Sequence, residues 1–199
     1  MKNPISKKQK LLKTAARLVA AQGFDGTTTL QIARESGVTE PLIYYHFKGK
    51  DDLFTRIIES TFSEYFSRID SLEGGADGPF EQIRKLIDLQ FDIVEDMPDE
   101  VHLIASAGPA RLSDPTDICA GNVQNYRRRL LAYLTASLSK GIESGKFIPV
   151  PLEETATLIL TVINGIVRNR DMNEDPSKNM REAAVDFCRR SLLLPRASN

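Results

Sequence analysis

Apolar residues recur at spacings of three and four along almost the whole chain, which is the pattern of amphipathic helices. The first stretch carries two interleaved apolar sets, Leu11, Ala15, Leu18 and Leu12, Ala16, Val19. No segment shows the alternation with a period of two that a half-buried strand requires. The pattern predicts an all-α protein of about nine helices, covering residues 7–21, 29–36, 39–47, 51–72, 80–97, 100–107, 114–144, 152–172 and 176–193.

Capping signals support the first three of these helices. Ser6 and Gln9 are three residues apart and form the capping-box pattern, which Thr28 and Gln31 repeat. Thr39 is suited to cap the third helix. A glycine at position 37, between the second and third helices, predicts a tight turn there.

The helices at 29–36 and 39–47, joined by a turn that contains glycine, have the layout of a helix-turn-helix. In this motif the second helix enters the major groove of DNA. Ile43 and Phe47 are four residues apart and are predicted to face inward. The helix is polar or aromatic where it should be exposed: Thr39, Glu40, Tyr44, Tyr45 and His46. Since adjacent helical residues point about 100° apart, at most one of the two tyrosines packs inward.

The net charge of −1 argues at first against a nucleic-acid partner. However, residues 1–50 contain nine basic and three acidic residues, a net charge of +6, whereas the rest of the chain carries −7. A basic N-terminal segment suits a polyanion such as double-stranded DNA. A solvated basic helix face remains the alternative explanation for the charge alone.

This segment resembles the DNA-binding region of the TetR/AcrR family of transcriptional repressors. The resemblance rests on Thr28-Thr29, Ile32-Ala33, Ser36-Gly37-Val38-Thr39 and the run Ile43-Tyr-Tyr-His-Phe-Lys-Gly-Lys-Asp-Asp-Leu-Phe54. It implies a homodimer that binds a palindromic operator and is released by a small molecule. It also implies a helix-turn-helix DNA-binding domain in residues 1–50 and a helical ligand-binding and dimerisation domain in residues 51–199.

Roles for single residues follow from the same resemblance. The family's phosphate contacts match Thr29, Tyr44 and Lys50, and its groove-facing positions match Glu40, Pro41, Leu42, Tyr45 and His46. Two of these residues depart from the family's pattern. Pro41 stands where glycine is common, which stiffens the start of the helix. Glu40 is acidic, so it repels phosphate but suits a cytosine amino group.

The region after residue 50 carries candidates for the effector site and the dimer interface. Aromatic or polar residues on apolar helix faces predict an effector pocket, with Phe62, Tyr65, Phe66, Phe91, His102, Ser106, Tyr126 and Tyr133 as candidates. A core position is the alternative explanation for each of them. The resemblance places the dimer interface on the last two helices, at Ala156, Ile159, Ile163, Val167, Ala184 and Phe187.

Other classes of protein find little support in the sequence. Two cysteines cannot build a disulfide scaffold, and neither the spacing of a zinc site nor a Gly-x-Ser-x-Gly elbow occurs. We therefore expect no enzyme and no cofactor. The segment 141–147 mimics a phosphate loop but has three residues rather than four between its glycines, and a helix end explains it better.

No signal core or membrane span is apparent, so we expect a cytoplasmic protein that does not contact the membrane. One alternative keeps the DNA-binding function but changes its control. In it, the regulator responds to a protein partner or to no ligand at all.

Overall fold

The computed structural model describes residues 6–72, 77–105, 118–168 and 177–194. These residues form nine helices, and their only strand-like feature is an isolated antiparallel bridge between Phe147 and Leu193. The helices are α1 (Lys7–Gly26), α2 (Thr29–Ser36), α3 (Glu40–His46), α4 (Lys50–Asp70), α5 (Pro79–Asp96), α6 (Pro98–Ala105), α7 (Ile118–Glu143), α8 (Leu152–Arg168) and α9 (Ser177–Leu192). The predicted all-α fold is confirmed. None of these described helices is long and apolar enough to cross a bilayer.

The predicted helix ends agree with the structure except at the end of α1. There the backbone of Gly23 turns to φ 80° and ψ 165°, yet helical structure resumes and continues to Gly26. A glycine tolerates this left-handed conformation because it has no Cβ. The ends predicted at residues 107, 114, 172 and 176 lie outside the described residues.

The three predicted caps differ in how completely they form. The Ser6 amide donates to Gln9 Oε1 at 3.0 Å and the Gln9 amide donates to Ser6 Oγ at 3.1 Å, so the first capping box is confirmed. Thr28 accepts from the Gln31 amide at 3.2 Å, but the Gln31 side chain bonds to Gln22 instead of returning to the cap. Thr39 occupies the N-cap position of α3 without a side-chain hydrogen bond, so its predicted capping role is wrong.

Packing divides the chain into two compact units, Met1–Glu64 with Met97–Val123 and Tyr65–Asp96 with Gln124–Asn199. The functional boundary predicted at residue 50 is a different kind of division and stays a prediction. In the first unit, α1 packs against α2 and α6, and α2 packs against α3.

The core of the first unit holds the two shortest helices of the N-terminal region in place. Leu11, Ile32 and Ile43 come from α1, α2 and α3, and each is at most 1% exposed. Burial of one such aliphatic side chain contributes about 1.5–3 kcal/mol. Helices as short as α2 and α3 are not stable alone, so this packing fixes where their outer faces lie.

In the second unit, α5, α8 and α9 pack against one another. Arg181 of α9 lies 5.3 Å from the centre of the Phe91 ring and pairs with Asp92 at 2.7 Å and Glu95 at 3.2 Å, all on α5. These partly exposed ion pairs add little stability, but the arrangement fixes the position of α9 along α5.

The segment that mimics a phosphate loop closes the C-terminal end of α7. The amides of Lys146 and Phe147 donate to the Gly141 carbonyl at 2.9 and 3.0 Å, and Gly145 has a left-handed φ of 66°. The Phe147 ring lies against Gly141 so closely that an added Cβ would be 2.0 Å from it. This is a helix C-cap, as predicted, because the amides that a phosphate would require are already bonded.

Candidate nucleic-acid interface

The turn between α2 and α3 sets the direction of the candidate recognition helix. Gly37 adopts φ 68° and ψ 36°, and its amide donates to the Arg34 carbonyl at 3.2 Å. The Val38 amide donates to the Ala33 carbonyl at 3.0 Å. Ile43 is fully buried, and Phe47, which follows the last turn of α3, is 2% exposed. The predicted inward face of α3 is therefore confirmed.

The outer face of α3 is aromatic and polar. Tyr44 is 55% exposed and Tyr45 is 81% exposed, so neither tyrosine packs inward. The Tyr45 and His46 rings meet edge to face with their centres 5.0 Å apart. Pro41 is exposed, and Leu42 is half-buried beside it. Such a face offers hydroxyl and imidazole groups to the phosphates and base edges of a duplex.

A hydrogen-bonded cluster joins the first turns of α2 and α3. Thr29 Oγ1 donates to Glu40 Oε1 at 2.7 Å and lies 3.3 Å from Tyr44 Oη. These are two of the three predicted phosphate contacts together with one predicted groove contact. No sequence pattern predicts this cluster, because the three residues meet only once the chain has turned at Gly37.

Lys50, the third predicted phosphate contact, also has an internal role. Its ammonium donates to the Phe24 carbonyl at 2.9 Å and lies 4.2 Å from the centre of the Phe24 ring. The contact ties the start of α4 to the end of α1. An ammonium has three donors, so this bond leaves donors for a phosphate. Lys48 is exposed, and its backbone amide donates to Asp52 Oδ2 at 2.9 Å.

Four of the predicted effector contacts are packed within the second unit. The Tyr126 ring lies 5.1 Å from Tyr65 and 6.4 Å from Phe66, centre to centre, and Phe91 is 1% exposed. The Tyr126 hydroxyl exchanges hydrogen bonds of 2.9 and 3.1 Å with the Gln90 amide group. Burial raises the pKa of Tyr126 to about 12, so the hydroxyl stays protonated at neutral pH.

The other four predicted effector contacts differ in their exposure. Phe62 is buried in the first unit, and His102 is exposed on α6 rather than set on an apolar face. Tyr133 is half-buried on α7, and Ser106 lies outside the described residues.

An open groove of about 570 Å³ lies between α7 and α8 in the second unit. Its lining is formed by Leu131, Ala132, Thr135, Ala136, Ser139, Leu152, Glu153 and Thr157. None of the predicted effector contacts lines it. The sequence reasoning missed this groove because its residues are small or aliphatic and carry no distinctive chemistry.

The residues of the predicted dimer face differ in exposure, and the face itself stays a prediction. Ala156, Ile159, Ile163 and Ala184 are each at most 4% exposed in the single chain, so their side chains pack within the subunit. The α8 helix is apolar on more than one face, and the spacing alone does not say which face is inside. Of the predicted set, Phe187 is 56% exposed, and the Val167 side chain lies outside the description.

The described helices instead expose a different apolar surface. We call this the α8–α9 apolar face, defined by Leu158 and Val162 of α8 and Phe187 of α9; Leu158 is 65% exposed. Several positions one turn away on the same helices, Thr161, Gly165, Ala183 and Ser191, are exposed and uncharged, whereas Glu154 and Arg190 are exposed and charged.

The cysteines give no support to an enzymatic site. Cys119 and Cys188 are buried, and burial raises the pKa of Cys188 to about 11. Its thiol therefore stays protonated near neutral pH and is a poor nucleophile. The described part of the chain contains no group of three side chains suited to hold a metal ion.

Taken together, two short helices joined at a left-handed glycine, with a buried anchor and an exposed aromatic face, define a helix-turn-helix DNA-binding protein. The family model described as bacterial regulatory proteins, tetR family, matches residues 11–57. The HTH-type transcriptional repressor KstR2 of Mycolicibacterium smegmatis is 27% identical over 146 residues, which cover 73% of this chain and 70% of that repressor. Residues 11–57 thus match the DNA-binding segment of the tetR family of bacterial regulatory proteins. Over most of its length the chain is similar to a DNA-binding transcriptional repressor rather than to an enzyme.

Two solved structures share the fold over almost the whole chain. The ketosteroid transcriptional regulator KstR2 of Mycobacterium tuberculosis has a TM-score of 0.80 and 19% identity, over 97% of this chain and 98% of its own. A putative transcriptional regulator from Saccharomonospora viridis in complex with choline has a TM-score of 0.78 and 20% identity, over 94% and 98%. At these identities the likeness shows the fold alone. The choline complex is that of the Saccharomonospora viridis regulator.

Proposed function

We propose that this protein is a transcriptional repressor that binds a palindromic operator as a homodimer and is released by a small-molecule effector. The observation that carries the proposal is the outer face of α3. There Tyr44 and Tyr45 are exposed while the adjacent Ile43 is fully buried, within the segment that matches the tetR family. Residues 1–50 form the DNA-binding domain in this proposal, and residues 51–199 form the effector and dimerisation domain.

In the proposed complex, α3 lies in the major groove. Phosphates are held by Thr29, Tyr44 and Lys50, and base edges are read by Glu40, Pro41, Leu42, Tyr45 and His46. Exposure of both tyrosines and of Pro41 supports these roles. The phosphate contacts supply affinity for any sequence, whereas the groove contacts supply preference among sequences.

The α8–α9 apolar face is the proposed dimer interface. Large apolar side chains that stay exposed on two helices packed against each other point to an association surface. Two helices from each subunit would form a four-helix bundle around Leu158, Val162 and Phe187. Small exposed neighbours, such as Gly165 and Ala183, let two such helices approach closely.

The aromatic cluster of Tyr65, Phe66 and Tyr126 is the proposed wall of the effector site. The choline complex of the Saccharomonospora viridis regulator supports an effector in this fold. The effector acts by favouring the subunit arrangement whose recognition helices misfit successive major grooves, which are about 34–36 Å apart.

Selection of duplexes from a random-sequence library by the full chain tests the DNA-binding part of this proposal. The expected result is an enriched palindrome whose two half-sites are separated by one helical turn or a multiple of it. Failure to enrich any motif, with binding that depends on salt alone, would contradict the proposed operator recognition.

The dimer interface is tested separately with Phe187→Asp. A charge in a dry interface is costly, so sedimentation equilibrium is expected to show at least about a 100-fold weaker dimer. Lys140→Asp introduces the same side chain at an exposed position of α7 and is the matched control. An unchanged dimer in Phe187→Asp would remove the α8–α9 apolar face from the interface.

A further inference from the structure

We propose that Glu40 acts as an internal substitute for phosphate, which lowers the affinity of the free protein for DNA of arbitrary sequence. Its carboxylate accepts the hydrogen bond that the Thr29 hydroxyl would otherwise donate to a DNA phosphate. This bond must break before Thr29 can bind a phosphate. The inference rests on the proposed DNA contacts of Thr29 and Tyr44. It assigns Glu40 a role that those two contacts do not have, which is to favour the operator over DNA of other sequence.

The geometry of the cluster carries the argument. Thr29 Oγ1 donates to Glu40 Oε1 at 2.7 Å, within the range of a strong bond to a charged acceptor. A threonine hydroxyl has one proton, so while Glu40 accepts it, Thr29 cannot donate to a phosphate oxygen. Tyr44 Oη, only 3.3 Å from the same Thr29 oxygen, completes a pair of hydroxyls beside the carboxylate.

The start of α2 strengthens the attraction for an anion at this point. Thr29 is the first residue of α2, so its hydroxyl lies at a helix N-terminus, where partial positive charge favours a carboxylate or a phosphate. Among the described residues, Glu40 makes no ion pair, and its side-chain bond is to Thr29. The carboxylate is therefore held by the same kind of groups that hold a DNA phosphate.

Two kinds of DNA complex differ in what Glu40 gains when Thr29 is released. On an arbitrary sequence, the carboxylate loses the Thr29 hydroxyl and faces the negative backbone without a replacement donor. On the operator, α3 sits in the groove, where a base amino group such as that of cytosine can donate to the carboxylate. Glu40 thus weakens non-operator binding more than operator binding, which raises the ratio between the two affinities.

The variant Glu40→Gln tests this, because glutamine keeps the shape of the side chain but replaces the charged acceptor with a neutral amide oxygen, which holds the Thr29 hydroxyl less strongly. The probe is a 30-base-pair duplex of arbitrary sequence, and binding is followed by fluorescence anisotropy at several salt concentrations. We expect about tenfold tighter binding than the wild-type protein shows, from loss of one negative charge close to phosphate. The slope of log affinity against log salt should steepen by up to about 0.9.

Glu35→Gln is the matched control. It removes one acid from α2, in the same unit, and it also frees Arg17, with which Glu35 pairs. If Glu35→Gln tightens binding as much as Glu40→Gln does, the effect is one of net charge and the proposal is overturned. Equal or weaker binding by Glu40→Gln overturns it as well.

Thr29→Val separates occupation of the hydroxyl from plain repulsion. With no hydroxyl to release, Glu40→Gln in the Thr29→Val background should gain clearly less than in the wild-type background. An equal gain in both backgrounds would overturn the proposal, and thermal melts followed by circular dichroism establish that each variant is folded. Because the probe is not an operator, these outcomes are independent of the selection experiment, whose failure would instead count against the proposed function.

Discussion

The helix-turn-helix and the α8–α9 apolar face both expose large side chains, but their surroundings differ. Tyr44 and Tyr45 lie beside a threonine hydroxyl, a carboxylate and an imidazole. Leu158 and Phe187 have mostly small, uncharged exposed neighbours, with one charged residue each, Glu154 and Arg190, a turn away. The first surface suits a charged partner that keeps its water, and the second suits a dry contact with a second copy of the chain. What surrounds an exposed aromatic residue thus says more about its partner than the exposure itself.

The comparison depends on which face of α8 is inside the subunit, and Ile163→Ala tests this with the largest expected effect. Ile163 is 1% exposed, so its truncation should lower the free energy of unfolding by about 2–5 kcal/mol. Val162→Ala, one position away on the exposed face, should change it by less than about 0.5 kcal/mol. Urea unfolding measured in the Phe187→Asp background keeps dimer formation out of the comparison. A costly Val162→Ala beside a neutral Ile163→Ala would reverse the assignment of the two faces.

Tyr126→Phe tests whether the aromatic cluster of the second unit, proposed as a wall of the effector site, also stabilises the fold. The change leaves the buried Gln90 amide group without its hydroxyl partner, which should cost about 1–3 kcal/mol of unfolding free energy without any ligand. Tyr44→Phe, on the exposed face of α3, is the control and should cost less than about 0.5 kcal/mol. Thermal melts measure both. No loss in Tyr126→Phe would show that the Gln90 contact does not stabilise the fold.

The two regions also differ in how much of them could be predicted. In the first unit, spacing and capping residues place α2, α3 and the start of α1, since Gly37 and the Ser6 capping box act locally. The cluster of Thr29, Glu40 and Tyr44 could not be predicted, because side chains from two helices meet there only after the turn has formed.

In the second unit, the helices were predictable but their inner faces were not. The α8 sequence carries apolar residues on both the Ile163 side and the Leu158 side, and only packing against α5 and α9 decides which is buried. The same limit applies to Tyr126, whose aromatic character fits a ligand wall and a core equally well. Its bond to Gln90, 36 positions away in the chain, is invisible in the sequence pattern.

Lys50→Ala tests the proposed contacts to the DNA phosphates. Loss of one phosphate contact should weaken binding to every duplex by about tenfold and lower the salt slope by about 1. Lys48→Ala, which removes a neighbouring exposed lysine, is the control and should have the smaller effect. Since Lys50 also bonds the Phe24 carbonyl, a thermal melt is needed to separate unfolding from lost contact. A loss confined to particular sequences, measured by anisotropy, would contradict the phosphate role.

Tyr45→Ala has the smallest expected effect on stability, and it tests directly which residues of α3 read the DNA bases. The side chain is 81% exposed, so the free energy of unfolding should change by less than about 0.5 kcal/mol. Selection from a random duplex library should nevertheless return an altered base preference within each half-site, because the ring and hydroxyl lie on the face that enters the groove. Leu30→Ala, a truncation at another exposed position, on α2, should leave that preference unchanged. If Tyr45→Ala returned the wild-type motif, Tyr45 would belong to the dispensable surface and base reading would rest on the remaining groove-facing residues of α3.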